Sequence, residues 1–143
     1  MTILVATDGS AVSDSAIEYA TTAACAMETP LEIVHVLTPE TELVNGSLLI
    51  AGEDEAIQQG ERLLQQARQH AADTATDHDV EIEITTELLA GRPAESITDH
   101  AENRGADAIH VGHRGLSETQ EQVVGSVAKT VVDKATVPVT IIK

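Results

Sequence analysis

The residues best suited to chemistry lie in one loop of the C-terminal third. It reads Gly112-His113-Arg114-Gly115, then nine residues, then Gly125-Ser126, between an apolar run and a helical pattern. Glycine lets a backbone approach a ligand closely. N–H groups at a helix start attract anions, to which Ser126 can add a hydrogen bond and Arg114 a positive charge. We interpret the loop as a phosphate cradle, although its spacing fits equally well a loop whose glycines serve only tight turns.

Strands that alternate with helices must position this loop. Such alternation predicts a parallel sheet with helices on both faces. We predict an α/β fold with one domain over residues 1–143, a doubly wound five-stranded parallel sheet of order 3-2-1-4-5. The predicted strands are Thr2–Thr7, Leu31–Leu37, Val80–Leu89, Ala106–Val111 and Pro138–Ile142, and the helices begin near Val12, Glu53, Pro93 and Gly125.

Two details of this pattern are specific enough to test. Residues 38–52 are polar or mixed, and we predict a mobile loop there. Alternation of apolar and acidic residues from Val80 predicts a strand with one solvated face, hence an edge strand. The strand order changes direction between strands 1 and 4, so a ligand is expected at their carboxyl ends, where the loops from Asp8 and Gly112 meet.

The spacing Gly-x2-Gly-x9-Gly-Ser resembles the ATP-binding signature of the universal stress protein family. The resemblance extends over the whole chain, since five further segments look like family elements in the family's order. They are Ile3–Ser10, Leu31–Val36, Gly91–Ile97, Ala106–Gly112, and Val127-Ala128 with the later Val137–Val139.

The resemblance implies an ATP site with a role for each matched residue. Asp8 and the backbone of Ala6 and Thr7 would face the adenosine, and the backbone of Val36 would contact the adenine. The ribose and phosphates would be surrounded by Val111, Gly112, Gly115, Gly125, Ser126 and Val127, with His113 and Arg114 in the same loop. A divalent cation (Mg or Mn) is expected on the phosphates, with unassigned protein ligands, and a homodimer is expected through the last strand, 138–142.

Two features depart from the family pattern. His113 stands where the family often has a small hydroxyl residue. The loop between Gly115 and Gly125, often basic in the family, here contains Glu118 and Glu121 and no Lys or Arg. Those carboxylates could repel a triphosphate or help to bind a cation, so they affect the expected affinity more than the location of the site.

Charge restricts the possible partners. The chain has 8 basic and 24 acidic residues, a formal net charge of −16, and no Phe or Trp. This composition is typical of halophilic proteins, with an ordinary acidic cytosolic protein as the alternative. No basic stripe exists to bind nucleic acid or an anionic membrane surface. No apolar run approaches the ~18 residues of a membrane span, and we expect a cytoplasmic protein.

Three functions are compatible with these observations. The leading hypothesis is an ATP-binding stress-response or regulatory module. The second is a slow ATPase or nucleotidyl hydrolase at the same site, for which His113 and Asp8 are the only candidate bases near the phosphates. The third is a dimeric interaction module without nucleotide. Cys25 and the strand histidines His35 and His110 fit core positions better than a reactive thiol or a metal site, and the helix histidines His70, His78 and His100 fit solvated positions.

Overall fold

The computed structural model describes residues 1–38, 41–44, 47–50, 53–114 and 124–143. The elements in chain order are β1 (Ile3–Ala6), α1 (Ala11–Met27), β2 (Leu31–Leu37), β3 (Thr41–Val44), β4 (Ser47–Ile50), α2 (Glu53–Asp77), β5 (Ile84–Ala90), α3 (Pro93–Arg104), β6 (Ala108–Gly112), α4 (Ser126–Lys134) and β7 (Val139–Ile142).

Five of the strands form one parallel sheet in the order β5-β2-β1-β6-β7. Counted without β3 and β4, this is the predicted order 3-2-1-4-5, so the predicted fold class is confirmed. The β3 and β4 strands pair with each other antiparallel in a separate two-stranded sheet. The prediction of a loop over residues 38–52 was therefore wrong for the described residues 41–44 and 47–50, because four-residue strands are too short to show a clear period.

The third predicted strand is an edge strand, but it begins later than predicted. In the structure β5 starts at Ile84, opposite Leu31, and runs in register with β2 to Ala90. The residues from Val80 to Glu83 precede the start of β2, and no strand of the described chain pairs with them. These residues therefore do not form a strand, despite their alternation of apolar and acidic side chains. The Leu31 N–H still donates to the Glu83 carbonyl oxygen.

The sheet is buried between two helical layers with aliphatic side chains on both faces. Ile3 and Val5 of β1 belong to the cluster that α1 and α2 cover, whereas Leu4 belongs to the cluster that α3 and α4 cover. Ser10 caps α1 by accepting a hydrogen bond from the Ser13 N–H. Gly105 ends α3 in the left-handed conformation at φ 66°, as its position after the helical pattern predicts.

A buried ion pair ties α3 to the sheet. The Glu32 carboxylate, with its side chain 5% exposed, lies 2.5 Å from Nε2 of His100 and 3.2 Å from Nη2 of Arg104. The prediction that His100 is solvated was wrong, because Glu32 points toward α3 and needs a charged or polar partner there. Removing one partner of a buried pair leaves an uncompensated polar group, which costs more than removing both.

We expect His100→Leu to lower the free energy of unfolding by about 2–3 kcal/mol. The double variant Glu32→Leu/His100→Leu should regain most of that loss, since Arg104 is more than half exposed and can turn to solvent. Urea unfolding in molar KCl measures both. His78→Leu, at an exposed histidine bonded to Thr22, is the control. Equal unfolding curves for His100→Leu and His78→Leu would contradict this account.

Candidate functional site

A cavity of about 460 Å³ opens at the carboxyl ends of β1, β2 and β6. It lies where the strand order changes direction, the place at which open α/β sheets bind ligands. Its volume is in the range of small-molecule sites. The lining residues are Ala6, Thr7, Asp8, Ser13, His35, Val36, Leu37, Thr38, Pro93, Ile97, Val111, Gly112, Arg114, Gly125, Ser126, Val127 and Ala128.

The turn after β1 shapes one wall. The Thr7 hydroxyl lies 3.0 Å from the Ser13 hydroxyl and accepts a hydrogen bond from the Gly9 N–H. Asp8 Oδ1 accepts one from the Ser10 N–H at 2.9 Å. Gly9 has φ 84°, a left-handed backbone conformation that would be strained for a residue with a side chain. These contacts hold the turn in one shape and direct the chain away from the sheet into α1.

The β2 strand continues beyond the point where β1 leaves. Pairing between them ends at Ala6 and Val34, after which the Thr7 N–H donates to the Val34 carbonyl. The Leu31 N–H and the Leu37 carbonyl bond on the β5 side. Since successive residues of a parallel strand bond to opposite neighbours, the Val36 N–H and C=O point to the side that β1 has vacated. A backbone donor and acceptor therefore face the cavity together.

The opposite wall is the start of α4. Gly125 is the N-cap residue, its N–H donates to the His113 carbonyl at 2.5 Å, and α4 begins at Ser126. The helix N-terminus thus lies at the cavity and supplies backbone N–H groups and a positive dipole end. Close packing explains Gly112, because a Cβ there would lie 2.8 Å from Cγ1 of Val12.

Ten of the twelve predicted site residues line this one cavity. They are Ala6, Thr7, Asp8, Val36, Val111, Gly112, Arg114, Gly125, Ser126 and Val127. His113 does not line it: the residue is buried, and its N–H and ring Nδ1 lie 2.7 Å and 3.3 Å from the Ile142 carbonyl oxygen. Gly115 lies outside the described residues, as do Glu118 and Glu121.

The sequence did not single out the remaining lining residues as site residues. Pro93 and Ile97 look like a helix start and a core position, and Ala128 lies on the apolar stripe of α4. Their chemical types carry no functional signal, so only the fold shows that they face the cavity. Ser13 and His35 carry polar atoms, but their role depends on the turn of β1, which a linear pattern does not reveal.

The walls differ in charge. Residues 1–91 contain 17 acidic and 2 basic residues, whereas residues 92–143 contain 7 and 6. The second group forms α3, β6, α4 and β7, which supply the wall at the α4 N-terminus. Among the lining residues of the described chain, Asp8 is the only carboxylate and Arg114 the only arginine or lysine. One wall of the cavity is therefore built from the segment of the chain in which acidic and basic residues are nearly balanced.

The described residues contain no group of three or more His, Cys, Asp or Glu placed to hold a metal ion. His110, on β6, is buried, and desolvation lowers the pKa of its imidazole, which keeps it neutral at neutral pH. Within the described segments, no helix is long and apolar enough to cross a membrane.

Comparison with known proteins agrees with this architecture. The family model described as "Universal stress protein family" matches residues 1–143. Universal stress protein YxiE of Bacillus subtilis is 30% identical over 150 residues, covering 99% of this chain and 97% of that protein.

Two solved structures share the fold. The universal stress protein from Archaeoglobus fulgidus in complex with dAMP is 28% identical, with a TM-score of 0.77 over 100% of this chain and 98% of that one. UspA from Lactobacillus plantarum has a TM-score of 0.83 at 24% identity over 100% of this chain and 97% of that one, which supports the fold alone. Because the family model matches residues 1–143, this chain belongs to the universal stress protein family.

Proposed function

We propose that this protein is a cytoplasmic, ATP-binding regulatory module of the stress response. The observation that carries the proposal is a single cavity with a backbone donor–acceptor pair at one end and a helix N-terminus at the other. The related Archaeoglobus fulgidus protein whose structure contains dAMP supports an adenine nucleotide as the ligand. We infer the cytoplasmic location from the sequence expectation and the stress-response role from the family membership.

The end of the cavity at the Val36 backbone, here called the base end, favours adenine. The Val36 N–H can donate to N1 of adenine, and its C=O can accept from the N6 amino group. Guanine presents the opposite pattern at these atoms, a donor at N1 and an acceptor at O6, so both contacts would become repulsive. A site built to hydrogen-bond one pattern rejects the other strongly, because its own polar groups are left unpaired.

The other end suits phosphates. The first N–H groups of α4 have no partners within the helix, Ser126 adds a hydroxyl, and Arg114 brings one of only 8 basic side chains in the chain. A magnesium or manganese ion would be held mainly by the phosphates themselves, as is usual for Mg²⁺ bound to nucleotides. Asp8 is the one carboxylate among the described lining residues that could reach such an ion or the ribose.

Binding rather than hydrolysis fits the side chains available. His113 is buried against Ile142 rather than facing the cavity, and Asp8 accepts a hydrogen bond from its own turn. Of these two candidate bases only Asp8 lines the cavity, so hydrolysis would depend on that carboxylate. Phosphate release followed over time tests this point, and steady multiple turnover that Asp8→Asn abolishes would favour the slow hydrolase.

Calorimetry with ATP in 2 M KCl tests the binding proposal. We expect the wild-type protein to bind ATP, and Gly125→Val with Ser126→Ala to weaken binding at least ~100-fold, because a side chain would fill the phosphate end and a hydroxyl would be lost. Adenosine should be affected much less. Ser15→Ala, at a half-buried serine whose hydroxyl donates to the Ala11 carbonyl of its own helix, is the matched control.

Mass spectrometry of nucleotide released from the purified, denatured protein complements that titration. Co-purified ATP that the double variant lacks would support the proposal. Absence of both co-purified nucleotide and calorimetric binding in the wild-type protein would refute it and leave the interaction module as the better description.

We also propose that the protein forms a homodimer through β7. The Ile109 N–H donates to the Pro138 carbonyl and the His113 N–H to the Ile142 carbonyl. By the alternation of bonding sides, the backbone groups of Val139 and Ile141 point outward from the sheet edge. Within the described residues β7 is the last strand of the sheet, and an edge of this kind is a template for a second copy of the same strand.

Light scattering after size exclusion should therefore show a dimer that Ile141→Pro weakens at least tenfold, since proline removes an outward-facing N–H and is tolerated best at a sheet edge. Thr140→Ala, which shortens the exposed side chain of the neighbouring residue, should leave the dimer intact. A dimer equally stable in both variants would place the interface elsewhere.

A halophilic source is the third part of the proposal and rests on the charge of −16. Self-repulsion of so many carboxylates falls as salt screens them. We expect the melting temperature to rise by at least about 5 °C between 0.2 M and 2 M KCl. A melting temperature independent of KCl would indicate an ordinary acidic protein.

A further inference from the structure

The carbonyl of Thr7 has a side-chain partner where a strand partner is expected. The His35 Nδ1 lies 2.7 Å from the Thr7 oxygen. A carbonyl oxygen only accepts, so Nδ1 carries the hydrogen and donates it. The ring also lies against α2, because its Cδ2 is 3.5 Å from the position a Cβ would take on Gly60. His35 therefore joins the end of β1, the cavity and α2.

A regular parallel ladder would use the same carbonyl differently. The Thr7 N–H donates to the Val34 carbonyl at 2.9 Å. In a parallel ladder, a residue bonded in this way next accepts, through its own carbonyl, from the N–H two residues further along the neighbouring strand. That donor would be Val36. Within the described chain, the Thr7 carbonyl bonds to the imidazole and not to the Val36 N–H.

We propose that His35 is a positioning residue that keeps the Val36 N–H available to the base of a bound nucleotide. Its imidazole satisfies the Thr7 carbonyl, which would otherwise be a buried acceptor without a partner. Without the imidazole, the sheet can extend by one rung, and the Val36 N–H is then taken up by Thr7. The inference rests on the proposed function, since it assigns the Val36 backbone to base recognition.

This role predicts an effect on base discrimination rather than on phosphate binding. ITP has the same ribose and triphosphate as ATP but carries a donor at N1 and an acceptor at position 6, opposite to adenine. If the Val36 N–H bonds to the Thr7 carbonyl instead, ATP loses the hydrogen bond to its N1. ITP is instead relieved of the repulsion between its N1–H and the Val36 N–H. The preference for ATP over ITP is therefore the quantity that His35 controls, and a role limited to packing would change both affinities alike.

Three substitutions separate the donor from the bulk of the ring. His35→Leu keeps an apolar side chain of similar reach and removes the donor. His35→Asn keeps an N–H near the position of Nδ1, whereas His35→Gln places its N–H one bond further out. His78→Leu removes an imidazole from an exposed site remote from the cavity and serves as the control.

The experiment measures ATP and ITP affinities for these variants by calorimetry in 2 M KCl. We expect the wild-type protein to prefer ATP by about 100-fold, and His35→Leu and His35→Gln to reduce that preference about tenfold, with His35→Asn and His78→Leu close to wild type. Hydrogen exchange of the Val36 amide, followed by NMR without nucleotide, should slow about tenfold or more in His35→Leu, because the amide becomes bonded.

An unchanged ATP-to-ITP ratio in His35→Leu, or an unchanged Val36 exchange rate, overturns the inference. If His35→Leu does not fold, equal preferences for His35→Asn and His35→Gln overturn it instead. A wild-type protein that binds neither nucleotide refutes the proposed function, and the exchange rates without nucleotide still decide whether His35 holds the Val36 amide free.

Discussion

The point at which β1 leaves the sheet determines most of what this molecule can do. The β1 strand pairs with β2 only as far as Ala6, while β2 continues to Leu37 with β5 as its neighbour. The hydrogen bonds around Thr7 and Ser10 turn the chain away at that place. A crevice opens between the two strand ends, and backbone groups of β2 that would otherwise pair with β1 become available to a ligand. The cavity, its proposed base-binding end and the proposed role of His35 all follow from this early departure.

Charge is the second constraint, and the distribution of charge along the chain is compatible with the proposed anionic ligand. A chain with a net charge of −16 repels nucleotides on average. The acidic excess, however, is concentrated in residues 1–91, whereas the segment that forms α3, β6, α4 and β7 is nearly balanced. The α4 N-terminus adds partial positive charge without adding a basic residue. Local backbone dipoles can thus serve where side-chain cations are scarce.

The parts of the structure that depend on local pattern were predictable from the sequence. The alternation of apolar runs with helical patterns predicted the sheet order, and the resemblance to the universal stress protein family implied the ten predicted residues that line the cavity. Features that depend on contact with a residue of another strand or helix were not predictable. The strand at Val80–Leu89 begins late because β2 has no residue to pair with its first part. His100 is held by Glu32 from another element, and His113 turns toward Ile142, although its neighbours in sequence line the cavity.

The central claim is that one adenine nucleotide spans the cavity from Val36 to the start of α4. An NMR titration of the ¹⁵N-labelled protein with ATP in molar KCl tests both ends at once. The account predicts that the amide signals of Val36 and of Gly125 to Val127 shift together, saturate at one equivalent and follow a single affinity. Shifts confined to other surfaces, such as the cleft between α1 and α2 lined by Asp14 and His70, or no saturable shifts at all, would contradict it.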